Sequence, residues 1–128
     1  MAKSLRIDAK AIFDVEQHGD TILVVPRVDL REFDFQRIEE GAKEVLGLLN
    51  GPGVKNVILD FHDTDYYGST ALGFFLKLWK RVTKLSGRMA FCNVSDHEKE
   101  ILKVTKLDSL WPIYGSREEA MQAVRSGL

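Results

Sequence analysis

The sequence predicts an α/β fold, a mixed, mostly parallel β-sheet of about five strands with about four helices in the order β-β-α-β-α-β-α-β-α. Three observations predict it. Short β-branched runs alternate with longer stretches whose apolar residues recur at helical spacing. Glycine, asparagine and proline mark the boundaries between them. The chain has 128 residues, 45% of them hydrophobic and 29% charged, which is the size and composition of one domain around one core.

Residues 12–17, IFDVEQ, and 21–26, TILVVP, read as two strands. His18-Gly19 between them suits a tight hairpin turn, because glycine takes positive φ at little cost. Residues 35–49 read as a helix. Phe35, Ile38, Ala42, Val45, Leu46 and Leu49 share its apolar face, and Glu39, Glu40, Lys43 and Glu44 fall outside it. Asn50-Gly51-Pro52-Gly53 stops it. VKNVILDF, residues 54–61, is a short β-branched run of the kind found in buried central strands.

HDTDYYG is the loop that follows, and a helix is expected from about Ser69 to Ser86, ended by Gly87. RMAFCNV, residues 88–94, is the next strand. Ser95 with Glu98, and Ser116 with Glu119, have capping-box spacing and open helices over 96–105 and 117–124. LWPIY, residues 110–114, reads as a short strand at a sheet edge, since Pro112 cannot donate to a ladder.

The formal net charge of -1 gives no general attraction to nucleic acid or anionic membrane. One cysteine, Cys92, forms no internal disulfide and reads as a small core residue, which fits a reducing cytoplasm. The N-terminal MAKSLRIDAK lacks the apolar stretch of a secretory signal, and no run approaches a membrane span. His18, His62 and His97 are dispersed, without metal-ligand spacing. No cofactor is expected.

The stretch YYGSTALGFF, residues 66–75, holds the most informative chemistry. A hydroxyl at a helix start is usually an N-cap, and Ser69 and Thr70 invite that reading. Yet the two capping boxes elsewhere place Glu98 and Glu119 in the first turn, where this helix has Leu72 and Gly73. With no acid there, the positive end of the helix dipole faces no competing anion and can hold a phosphate. Leu72, Phe75, Leu76, Trp79 and Val82 form one apolar stripe, and Phe74, Leu78 and Leu85 widen it. The wide arc allows a second helix neighbour or a partner-binding patch beside Thr70. Lys77, Lys80, Arg81 and Lys84 form a basic face, which is either solvated or steers an acidic partner.

Several enzyme motifs fail. Gly68 to Gly73 has P-loop spacing, but Phe74 and Phe75 stand where lysine and a hydroxyl are required. A nucleophile elbow at Ser69 would need glycine at Tyr67 and Ala71. Asp60, Asp63 and Asp65 resemble the acidic cluster of a receiver domain, but TILVVPRVD supplies only Asp29 as a partner, so loop solvation and turn formation are the expected roles. No nucleophile, base and oxyanion hole assemble, and no enzyme is expected.

VVPRVD, VILDF followed by GSTALG, and LDSLWPIYGSREEA together resemble a STAS domain, the family of sulphate-transporter domains and bacterial anti-sigma factor antagonists. The likeness covers roughly Ile12 to Val124, so one STAS-like domain is expected over residues 1–128, with its core at about 12–124. The resemblance implies a phospho-switched protein-interaction module. An anti-sigma factor that is a serine/threonine kinase binds the unphosphorylated form, phosphorylates it and releases it, and a phosphatase resets the cycle. It implies Thr70 as the acceptor, with Ser69 as the alternative. It implies no direct contact with nucleic acid and no membrane insertion.

Gly68, Ala71 and Leu72 would shape the helix start, and Asp29, Tyr66, Tyr67, Gly68, Ser69, Ala71, Phe74 and Leu78 are the candidate partner contacts. The family's loop Asp is Gly68 here and its glycine is Ala71, so a like charge beside a future phosphate is expected to be missing. Free-standing relatives that attach to ATP-driven lipid transporters, and a constitutive binder never phosphorylated, are the alternative functions.

Overall fold

Strand order in space follows strand order in the chain. The structure is a computed structural model that describes residues 3–6 and 12–126. Among the described residues, six strands form one sheet in the order β1-β2-β3-β4-β5-β6. They are β1 Lys3–Arg6, β2 Phe13–His18, β3 Thr21–Pro26, β4 Asn56–Asp60, β5 Met89–Cys92 and β6 Ile113–Tyr114. Four α-helices accompany them among these residues: α1 Phe35–Leu48, α2 Ser69–Lys84, α3 Asp96–Val104 and α4 Arg117–Ser126. The first two strand pairings are antiparallel and the other three are parallel. The mixed, mostly parallel α/β sheet with four helices is therefore as expected, with β1 as an additional edge strand. KSLR is too short and polar to announce a strand; its ladder to β2, from Lys3 opposite Gln17 to Arg6 opposite Asp14, supplies the order.

Alternation along the central strands builds two cores. Ile22, Val24, Val57 and Leu59 face one side with residues of α1, α2 and α3, while Leu23, Val25 and Ile58 face the other with Ala120 and Val124 of α4. The larger core carries an aromatic cluster at the carboxyl ends of β4 and β5. Phe61 meets Tyr67 at 5.3 Å and Phe75 at 5.6 Å between ring centroids, and Trp111 stacks on Phe91 at 4.9 Å. Each such pair adds about 0.5–1.5 kcal/mol beyond its buried area. The cluster holds the first turns of α2 against the sheet.

Local details differ from the sequence expectations in four places. The hairpin turn is Gly19-Asp20, with His18 inside the strand opposite Thr21 and Gly19 at φ 63°. The left-handed residue that ends α2 is Ser86, at φ 59°, and Gly87 is needed for space: a Cβ there would overlap the Lys55 carbonyl. Phe35 is 54% exposed rather than in the core, because it begins α1 directly after a 3-10 turn at Glu32–Asp34. The buried face of α2 is Ala71, Phe74, Phe75, Leu78 and Val82, with Leu72, Leu76, Trp79 and Leu85 half-buried. This rotation arises because α2 packs on both the sheet and α1.

Candidate functional site

The site lies where the β4–α2 loop meets the β3–α1 loop. Backbone bonds join the two: the Leu30 N–H donates to the Tyr66 carbonyl at 3.2 Å, and the Gly68 N–H donates to the Leu30 carbonyl at 2.8 Å. Asp29 adds a side-chain bridge, its Oδ1 accepting the N–H groups of Asp65 at 2.8 Å and Tyr66 at 3.3 Å. Asp29, an expected partner contact, thus has an internal duty that fixes the loop.

A second set of bonds pins the loop to α3. Thr64 Oγ1 donates to Glu98 Oε2 at 2.8 Å, and the Tyr67 hydroxyl donates to the Glu98 carbonyl at 2.8 Å. Glu98 Oε1 accepts the Ser95 N–H at 3.1 Å and Ser95 Oγ accepts the Glu98 N–H at 3.1 Å, completing the capping box read from the sequence. Burial pushes the Glu98 carboxyl up, against the lowering effect of its Thr64 and Ser95 bonds. Burial and the neighbouring Glu98 likewise push the Tyr67 phenol up.

On this rigid base sits the head of α2. Its N-cap is Gly68, in extended conformation, with no side-chain cap and no acid in the first turn. Ser69 and Thr70 are therefore the first two helical residues, not the cap expected of one of them. Ser69 is exposed, and Thr70 is half-buried on the wall of a groove of about 370 Å³ between α1 and α2. Ile38, Ala42 and Phe74 form the groove's apolar floor, and Glu39, Lys43 and Lys77 stand on its sides. Lys77, Lys80, Arg81 and Lys84 have no carboxylate within ion-pair distance among the described residues.

Four of the expected partner contacts are core residues. Tyr67, Ala71, Phe74 and Leu78 are buried, because α2 turns that face toward the sheet and α1. They lie inside the core and set the position of the site. Gly68 is also buried. Tyr66 remains half-exposed, its ring 5.6 Å from that of His97 and 5.9 Å from the Arg31 guanidinium carbon.

In the β3–α1 loop sequence reasoning found Asp29 but missed Glu32 and Phe33. Glu32, in the 3-10 turn, lays its carboxylate directly over Gly68: a Cβ on residue 68 would overlap it. The Tyr66 hydroxyl donates to Glu32 Oε1, a bond that pushes the phenol up. The like charge expected to be missing at position 68 is supplied from another loop. Phe33, beside it, is 79% exposed, and Phe35 and Val28 are exposed as well. EFDF in the sequence offers a signal of a kind, two phenylalanines interleaved with acids outside any strand.

The second polar cluster is Asp60, buried at the end of β4. Its carboxylate accepts from Arg117 Nε at 2.9 Å, Asn93 Nδ2 at 3.0 Å and the His62 N–H at 3.1 Å, and pairs with Arg117 Nη2 at 2.8 Å. Arg117 continues to Glu16 at 3.5 Å. Asp60 is therefore not a solvated loop residue as expected; Arg117, 57 positions away, makes its burial tolerable. Burial alone would raise its carboxyl, but the donors from Asn93, Arg117 and His62 outweigh it and hold the group below the usual range. A carboxylate so fully bonded is structural. Asp63 and Asp65 do lie at the surface, near His62 and His97. Cys92 is buried as expected, its thiol pushed up to about 12, chiefly by burial. Among the described residues no group of acids, histidines and cysteine could hold a metal, and no helix is long and apolar enough to cross a membrane.

The STAS domain family profile matches residues 13–120, and the chain belongs to that family. BtrV of Bordetella bronchiseptica, a protein named as an anti-sigma factor antagonist, is 29% identical over 76 residues, which is 59% of this chain and 66% of BtrV. The crystal structure of TM1081 from Thermotoga maritima, named likewise, superposes with a TM-score of 0.78 at 24% identity, covering 88% of this chain and 94% of that one. SpoIIAA in its unphosphorylated form gives 0.76 at 19% identity over 89% and 96% of the two chains. The phosphorylated form of SpoIIAA, a Bacillus cell fate determinant, gives 0.70 at 18% over 88% and 98%.

Proposed function

We propose that this chain is a protein-interaction module of the anti-sigma factor antagonist type, switched by phosphorylation of Thr70. Its partner is an anti-sigma factor that is also a serine/threonine kinase, bound in the unphosphorylated state and released in the phosphorylated one, with a phosphatase resetting the cycle. It acts in the bacterial cytoplasm, upstream of transcription, and needs no catalytic machinery of its own. The observation that carries this reading is the head of α2. Two hydroxyls occupy the first turn of a helix whose amide end no side chain caps. Exposed Phe33 and half-exposed Tyr66 border it. The names of BtrV and TM1081, and the two phosphorylation states of SpoIIAA, agree with it.

The energetics favour release over unfolding. A phosphate adds about -1.5 to -2 charges. The helix dipole offsets about 0.3–1 kcal/mol of its cost, and up to ~2 in a partly buried setting. Desolvating a dianion against a partner costs several kcal/mol, which is the larger effect. Phosphorylation should therefore break the complex and leave the domain folded.

Intact mass with site mapping, on protein isolated from its native cells with phosphatases inhibited, at rest and under stress, tests this. One phosphate on Thr70 that changes with condition is the expected result. Phosphate on Ser69 alone would move the switch by one residue. A chain unmodified in every condition would reject the switch and leave a constitutive binder, as in a transporter assembly.

A further inference from the structure

We propose that Glu32 is the residue through which a charge added at Thr70 is felt by the rest of the surface; this rests on the switching reading above. Glu32 occupies the space over Gly68 that any other residue there would fill. Thr70 is two residues further on, in the same first turn of α2. A phosphate on Thr70 and the Glu32 carboxylate are like charges competing for the same helix head.

The geometry also says which of the two gives way. Lys43 and Lys77 flank the groove that Thr70 lines, so a phosphate on that side meets two cations against the single carboxylate of Glu39. Glu32 sits on a 3-10 turn with no buried residues. At the head of α2 its side chain is held by the Tyr66 hydroxyl, the one hydrogen bond of that side chain among the described residues. The phosphate stays, the Glu32–Tyr66 bond breaks, and the turn leaves the head of α2. Phe33, exposed on that turn, moves with it, so an apolar contact presented to a partner is withdrawn together with the arrival of charge. Gly68 is glycine because Glu32 needs the room.

The test is hydrogen exchange on the intact chain and requires no partner. Wild type, Thr70→Glu, Glu32→Gln and the double variant are compared at the amides of Leu30 and Gly68, whose bonds join the two loops. Thr70→Glu should speed exchange there by about tenfold, with the β4 and β5 amides unchanged. Glu32→Gln keeps the shape and the bond to Tyr66 but removes the charge, so the double variant should exchange like wild type. No acceleration in Thr70→Glu, or equal acceleration in the double variant, overturns the proposal. Should Thr70→Glu fail to fold, phosphothreonine introduced at position 70 by semisynthesis takes its place in the same comparison. The mass mapping separates the two readings: an unmodified Thr70 removes the switch, whereas a phosphorylated Thr70 with no coupling to Glu32 removes only this inference.

Discussion

Ser95 at the head of α3 and Ser69 at the head of α2 both follow a parallel strand, yet their surroundings are opposite. Ser95 and Glu98 exchange bonds that answer each other's backbone N–H, and the Thr64 hydroxyl donates to the Glu98 carboxylate. At α4, Ser116 Oγ accepts the Glu119 N–H at 3.1 Å, and Arg117 is committed to buried Asp60. At α2 the cap is a glycine, the first turn has no acid, and the hydroxyls of Ser69 and Thr70 make no hydrogen bond among the described residues. The helix starts that hold the fold together are capped by side-chain bonds. The one proposed to receive a signal is kept free of its own caps and is framed by a rigid loop. The same acid that caps α3, Glu98, also anchors the loop leading to α2, so the capped site supports the open one.

Four experiments sharpen or break this contrast. Arg117→Met would leave the Asp60 carboxylate buried without its cation and should cost about 3–5 kcal/mol in urea denaturation. A loss below about 1 kcal/mol would mean that the α4 head is not a stability element. Thr70→Glu should weaken binding of the partner by at least about tenfold, or 1.4 kcal/mol, with little change in melting temperature. Thr70→Ala should bind without regulation. Unfolding of Thr70→Glu would instead make position 70 structural. Ser95→Ala should cost about 1 kcal/mol, while Ser69→Ala and Thr70→Ala should each stay within about 0.5 kcal/mol. Equal losses at the two helix heads would erase the difference between them.

The smallest effect is one of pH dependence. The Asp60 carboxyl lies below its unfolded value, so its contribution is present above the unfolded carboxylate range and is lost as pH falls through the folded value. Glu98 lies above its unfolded value, so its contribution is present in acid and is lost as pH rises through the folded value. Glu98→Gln should therefore gain on wild type as pH rises from acid to neutral, read as the difference between two pH–stability curves. A constant difference across that range would show that Glu98 does not titrate with folding.

Much of the fold was legible because its signals are local. TILVVP and VILDF are apolar runs that become β3 and β4, and the Ser95 and Ser116 spacings mark two real helix starts. The helix after β4 was placed correctly at Ser69, and the position of Thr70 in its first turn followed. What misled was rotation and distance. Apolar spacing cannot say which part of a wide arc meets the sheet and which meets a helix neighbour or a partner; Phe74 and Leu78, candidates for either, lie in the core, where α2 packs on α1. β1 carries little signal of its own and depends on the ladder to β2.

The sequence by itself determined the alternation of strands and helices, the family motifs around GSTALG, and an α2 first turn without acids, since each is a matter of residues near one another in the chain. Only the tertiary structure decided the electrostatics of the site. Glu32 reaches Gly68 across 36 positions and Arg117 reaches Asp60 across 57, both because parallel crossovers return distant loops to the same end of the sheet. Charge acts through space, and the space between these residues exists only once the sheet is assembled.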